Sequence, residues 1–181
     1  QTVPTVHTSA DSRLNVTRQG RVIYVQYKEM SDSFLQDDSV ILEDRLNRAR
    51  NQSRIAPKLI VLDLSGNIDG IIEQARYVTD LLLTKGRMTT ISYYSDLGTD
   101  VYWDAEPQHW GDNWLEKIPI ALITDNKTAS SAEIIVTALL DNGRASVHIG
   151  EKTFGKGVFQ HSYDEYFYKL KVPKGITKRL K

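Results

Sequence analysis

Three short segments of this sequence bring together residue types that could do covalent chemistry. Thr128-Ala129-Ser130-Ser131-Ala132-Glu133 lies between an apolar run and a helix-like apolar pattern. A serine at such a junction sits where the unpaired N–H groups of a first helical turn point outward. Those donors, with the positive end of the helix dipole, suit a developing oxyanion. The same spacing also fits a capping box, Ser130 with Glu133 three residues on, which needs no chemistry. The second segment is Gly150-Glu151-Lys152-Thr153-Phe154-Gly155-Lys156-Gly157. A lysine between two glycines lets backbone pack closely around the ammonium, and a desolvated lysine can act as a general base. A solvated turn lysine is the simpler alternative. The segment is not a phosphate loop, because Lys156 is followed by Gly157, Val158 and Phe159 rather than by Ser/Thr and a helix. The third segment, Ser65-Gly66-Asn67-Ile68-Asp69-Gly70, offers backbone amides that could face a substrate carbonyl, or a tight turn that simply needs glycine.

The elements around these segments can be read from pattern. Leu59 to Leu64 is almost wholly apolar, as expected of a strand covered on both faces, and runs into the glycine turn. Residues 118–124 predict a second strand, ending at the serine segment, and Ser130–Leu140 predicts a helix closed by Asn142-Gly143. Ser146–Gly150 predicts a short strand leading into the lysine segment. Further strands are expected at 21–27 and 89–94, helices at about 39–51 and 71–83, and strand pairing over 158–172. Strand and helix alternate, which favours a layered α/β fold with right-handed crossovers. Residues 95–118 hold all three tryptophans with Gly98, Pro107 and Gly111 and show no period; they read as a cap-like excursion.

Composition removes several classes of function. The 181 residues suit one domain. Lys plus Arg and Asp plus Glu are 23 each, which leaves no basic excess for a nucleic acid. Without cysteine there is no disulfide framework, thiolate metal site or cysteine nucleophile. No pair among His7, His109, His148 and His161 has metal-ligand spacing with a carboxylate, so neither metal nor cofactor is expected. No apolar run approaches the ~20 residues of a membrane helix. The chain begins at Gln1 with no signal-peptide pattern, and is expected to be a processed or trimmed piece.

In this order, the segments resemble the C-terminal processing peptidases, or tail-specific proteases. The matching residues are Leu62-Asp63-Leu64-Ser65-Gly66-Asn67-Ile68-Asp69-Gly70, Thr128 through Ile134, Asp141-Asn142-Gly143-Arg144-Ala145, and Gly150 through Gly157 with Gln160. The match spans about residues 20–172. It implies an α/β core of the layered ClpP/crotonase type, built from β-β-α units. It also implies peptide-bond hydrolysis near protein C-termini by a Ser–Lys dyad through an acyl-enzyme. Carried over by position, Ser130 is the nucleophile, three residues before Glu133. Ser131 competes when counted back from the lysine. Lys156 is the general base and Gln160 orients it. The Ser131 N–H and an amide of Asp69 or Gly70 form the oxyanion hole, and Asp141 supports the structure.

Three departures stand out. The family's Pro-Gly-Gly is Ile68-Asp69-Gly70, which brings a carboxylate towards the oxyanion hole; its Arg is Ser65; and the 95–118 stretch is long. The family normally carries a PDZ domain that captures the substrate C-terminus, for which this length leaves no room. Residues 1–20, with Val3-Pro4-Thr5-Val6, read as a lead-in from such a domain, and 21–181 as the protease core. The resemblance further implies a protein or peptide substrate, no nucleic acid or metal partner, an extracytoplasmic location, and compatibility with a homo-oligomer. The competing reading is a degenerate or resting core that binds peptides or assembles without cleaving. His7 is the alternative base.

Overall fold

The computed structural model describes residues 12–30, 37–93, 100–106, 114–165 and 168–178, with the backbone alone at Tyr93 and from Phe159 onward. The first half supplies β1 (Leu14–Gln19), β2 (Val22–Tyr27), α1 (Asp38–Asn51), β3 (Leu59–Asp63) and α2 (Ile72–Leu82). The second half supplies β4 (Arg87–Tyr93), β5 (Asp100–Asp104), β6 (Ile120–Thr124), α3 (Ser131–Asp141), β7 (Ala145–Gly150), β8 (Val158–Glu165) and β9 (Tyr168–Lys178). The result is a layered α/β fold, as expected from the alternating pattern.

A five-stranded sheet has the order β1-β2-β3-β6-β7. Only the β1–β2 hairpin is antiparallel; β2, β3, β6 and β7 run parallel. Register aligns Ile23, Ile60 and Ile120 in one row and Val25, Leu62 and Leu122 in the next. All six are buried and form the floor of the core. Each helix sets one apolar stripe on that core at helical spacing: Leu42, Leu46 and Ala49 from α1, Ala75, Val78 and Leu82 from α2, and Ala132, Ile135 and Leu139 from α3. Burial of each large side chain contributes about 1.5–3 kcal/mol, so this stripe-on-sheet contact is the main source of stability. A second, antiparallel sheet has the order β5-β4-β9-β8 and packs through β4 against α3.

Two strands depart from the expectations. Residues 14–19, read as part of a polar lead-in, form β1. Only Leu14 and Val16 face inward beside Tyr27 and Val25, and the intervening Asn15, Thr17 and Arg18 hide the pattern. Gly20, at φ 59°, closes the hairpin. Part of 95–118 is likewise a strand, β5, paired with β4. The tryptophan stretch also feeds the core: Trp114 is buried and its Nε1–H donates to Asn47 Oδ1 at 2.9 Å, while Trp103 packs against the core edge.

The far end of α3 is fixed by the Asp-x-Gly-Arg segment. Arg144 donates to the carbonyls of Leu82 at 2.9 Å, Ile118 at 2.8 Å and Leu115 at 2.6 Å. Asn142 caps the helix and donates to Arg87 O at 2.8 Å. No helix among the described residues is long and apolar enough to cross a membrane.

Candidate active site

Because β3, β6 and β7 are parallel neighbours, their C-terminal ends lie along one edge of the sheet. Each end opens into one of the three segments singled out above: residues 64–71, 125–130 and 151–157. Sheet edges of this kind are where α/β proteins place ligands.

The segments are stitched together mainly by backbone. The Ala129 N–H donates to Asn67 O at 2.9 Å, and the Phe154 N–H to Thr128 O at 2.9 Å. Asp125 Oδ1 accepts the N–H groups of Gly66 and Thr128, both at 2.9 Å, and that of Lys127 at 3.1 Å. Burial pushes the Asp125 carboxyl up, but the bonds from Gly66, Thr128 and Lys127 outweigh it and hold it below the usual carboxylate range. Two glycines are required by close approach. A Cβ on Gly70 would lie 2.4 Å from Met30 Cβ, and one on Gly150 would lie 2.0 Å from Thr124 O.

Ser130 is the N-cap residue of α3 and has φ 58° and ψ −124°. It is the only non-glycine residue with positive φ among the described residues. Such a conformation costs about 1–3 kcal/mol and persists only where the surroundings impose it. Its hydroxyl faces the Glu133 N–H in the manner of a capping box, without the geometry of a full hydrogen bond. Ser131 differs. It is buried, and its hydroxyl donates to Gly70 O at 2.8 Å, which ties the start of α3 to the glycine turn.

Glu133 meets both halves of the site. Its Oε2 accepts the Ser130 N–H at 3.0 Å and the Lys156 N–H at 2.8 Å. Its Oε1 accepts the Thr153 hydroxyl at 2.6 Å and the Gly155 N–H at 2.7 Å. The Lys156 ammonium points elsewhere: Nζ lies 3.5 Å from Asp69 Oδ1, an ion pair between partly exposed groups. No hydrogen bond joins the Ser130 hydroxyl to Lys156 Nζ.

Gln160 is on β8, where the register against β9 shifts between Phe159 and Gln160; its side chain is outside the described residues. Asp141 is the last residue of α3 and is half-buried. His7 and His109 lie outside the described residues, as does the side chain of His161. His148 Nε2 is 2.8 Å from the Thr124 hydroxyl. That hydroxyl donates to Glu151 O, so at this contact the His148 Nε2–H is the donor.

Two groupings escaped the sequence reading. The reach of Glu133 to Thr153, Gly155 and Lys156 was hidden behind its capping role. Beside the glycine turn, Asp63 accepts from Tyr24 at 2.5 Å, from Lys28 at 3.1 Å and from the Ser65 hydroxyl at 2.6 Å. Burial pushes the Asp63 carboxyl up; the bonds from Ser65, Tyr24 and Lys28 bring it below its ordinary value. Burial and the same carboxylate push the Tyr24 phenol up to about 12. The Ser65 at the family's Arg position was the only hint in the sequence.

Comparison with known proteins defines the class. The fold is shared with the photosystem II D1 C-terminal processing protease, at a TM-score of 0.66 and 21% identity over 90% of this chain and 40% of that one. Residues 21–174 match the model of peptidase family S41, and the chain belongs to that family. It is 31% identical over 176 residues to the carboxy-terminal processing protease CtpA of Bacillus subtilis, covering 91% of this chain and 36% of that protein. It is 28% identical over 145 residues to the chloroplastic carboxyl-terminal-processing peptidase 1 of Arabidopsis thaliana, covering 78% of this chain and 26% of that protein. The chain thus spans about a quarter to a third of the length of these curated relatives.

Proposed function

We propose that this chain is the catalytic core of a serine endopeptidase that cleaves protein or peptide substrates near their C-termini, and that Ser130 and Lys156 form its dyad. The observation that carries this reading is the imposed positive φ of Ser130 at the start of α3, beside a lysine loop fastened to the same carboxylate. A strained serine at a strand-to-helix turn is exposed for attack, and strain of this kind collects at reacting groups. Ser131 is a poor nucleophile by contrast, since its hydroxyl is buried and already donating to Gly70.

In the proposed reaction, neutral Lys156 takes the Ser130 proton as Oγ attacks the scissile carbonyl carbon. The oxyanion is received by the Ser131 N–H and by an amide of Asp69 or Gly70. Lys156 then gives the proton to the leaving amine, and an ester to Ser130 remains. Water, deprotonated by Lys156, attacks that ester; Lys156 returns the proton to Ser130 Oγ as it leaves, which frees the serine and restores the neutral base. Gln160 orients Lys156, and Asp141 supports the end of α3. A PDZ domain in the remainder of the protein, an extracytoplasmic location and self-association belong to the same proposal.

A second reading concerns the state rather than the class. Lys156 Nζ lies 3.5 Å from Asp69 Oδ1 and makes no bond to the Ser130 hydroxyl, so the arrangement fits a resting core. Whether substrate or a neighbouring domain releases Lys156, the ion pair must break before the first step.

A fluorophosphonate probe tests the assignment. Ser130→Ala is expected to abolish labelling, and Ser131→Ala to retain it. The opposite pattern moves the nucleophile to Ser131, and no labelling of the parent chain under any condition favours the non-cleaving peptide-binding reading.

A further inference from the structure

We infer that Glu133 is a positioning residue that sets the separation between the nucleophile and the general base, and is not merely a helix cap. The inference rests on the Ser130–Lys156 reading above. A cap needs one bond, from Glu133 to the Ser130 N–H. Three further donors reach the same carboxylate from a different segment: the Thr153 hydroxyl and the N–H groups of Gly155 and Lys156. The shared atom Oε2 receives the N–H of the proposed nucleophile and the N–H of the proposed base. Those two amide nitrogens therefore cannot separate by more than the two bonds laid end to end. One backbone bond also joins the two segments directly, but it involves neither Ser130 nor Lys156. Phe154 bonds to Thr128, ahead of the serine, and Glu151 bonds to Thr124.

The chemistry of the group matches the task. An ionised carboxylate offers acceptor sites on both oxygens and no donor, so it can take four donors at once. Bonds to an ionised acceptor are about twice as strong as neutral ones. The negative charge also sits at the first turn of α3, where the helix dipole favours it. An amide in its place has one accepting oxygen and an NH2 that would face donors. Aspartate is one methylene shorter and cannot span both segments. Position therefore fixes the direction of the effect: the Lys156 side chain is left to exchange Asp69 for Ser130, while its backbone is held in reach of the serine.

The test combines Glu133→Gln and Glu133→Asp with Lys156→Ala, and reads both fluorophosphonate labelling of Ser130 and amide hydrogen exchange. Loss of Glu133 is expected to slow labelling about 100-fold, the scale of losing a positioned base. Lys156→Ala should then cost no more than roughly threefold further, because coupled groups are not additive. Exchange should quicken together in peptides covering 128–133 and 151–157, with cooperative thermal unfolding retained. A merely structural role predicts the full cost of Lys156→Ala in both backgrounds, which would overturn the inference. So would unchanged exchange over 151–157 in both variants. If Lys156→Ala has no effect in the parent chain, the dyad reading fails instead, and joint loosening of the two segments still decides whether Glu133 ties them. Should Glu133→Gln not fold, Glu133→Asp carries both readouts.

Discussion

Two lysines flank the glycine turn, each beside a serine and an aspartate, and the less obvious of them is the better candidate for chemistry. Lys28 looks like a ready Ser–Lys pair: its Nζ is 2.8 Å from Ser65 Oγ. It also donates to Ser65 O at 2.7 Å and to Asp63 at 3.1 Å. All three protons are in use, and Ser65 gives its own proton to Asp63. No lone pair is left to receive one. Lys156 has a single ionic partner 3.5 Å away and a backbone fixed beside Ser130. A saturated lysine is a fastener, whereas an under-employed one can change partners. Short distances between the right atoms identify a base only when the direction of donation is also right.

The largest expected contrast between the two lies in reactivity. Lys156→Ala should slow probe labelling by about 10²–10⁴-fold, the range for a lost general base. Lys28→Ala should leave it within about threefold wherever the chain is folded, because all three of its bonds go to Ser65 and Asp63 and none to Ser130. Equal losses would erase the distinction.

Stability should reverse that order. Lys28→Ala removes one bond to a buried carboxylate and two to Ser65, and is expected to lower unfolding free energy by about 1–2 kcal/mol, discounted for the partial exposure of Lys28. Lys156→Ala should stay within about 0.5 kcal/mol, since exposed pairs contribute little. Urea unfolding midpoints compare them directly.

Titration sharpens the same contrast. Asp63 and Asp125 have lowered carboxyl values in the folded chain. The stability they contribute is fully present above about pH 4, their unfolded range, and is lost as pH falls through the depressed folded values. Tyr24 is raised to about 12, so its contribution is complete below the ordinary phenol value of about 10 and is lost as pH rises from there to the folded value. Ultraviolet titration of the phenols should lose its highest component in Tyr24→Phe, and Asp125→Asn should flatten the acid limb of unfolding. The smallest expected effect is from Asp69→Asn. By freeing the ammonium it should raise labelling at neutral pH severalfold, with little change in unfolding. A decrease would mean that Asp69 helps the reaction rather than holding the resting arrangement.

Strands β3 and β6 were legible because burial writes long apolar runs, such as Leu59–Leu64, and the three described α-helices because they write spaced ones, such as Ala132, Ile135 and Leu139. The hairpin strand β1 and the short β5 were not, since each carries few inward apolar residues among polar ones. At the site, residue types and motif order pointed to Ser130 and Lys156. The bonds between segments did not show. Glu133 and Lys156 are far apart along the chain and meet only because β6 and β7 end side by side. The Asp69 carboxylate was read as a threat to the oxyanion hole, and its partner Lys156 emerged only from the fold.

The Arg144 clamp also bears on how short this protein can be made. The carbonyls of Leu82, Leu115 and Ile118 all accept from one side chain that follows α3 in sequence. A fragment ending at Gly143 would keep every residue of the serine helix yet lose the Arg144 bonds to three backbone carbonyls. Any fragment meant to keep the serine helix in place must therefore extend past Arg144, and one meant to keep the proposed dyad must extend past Lys156.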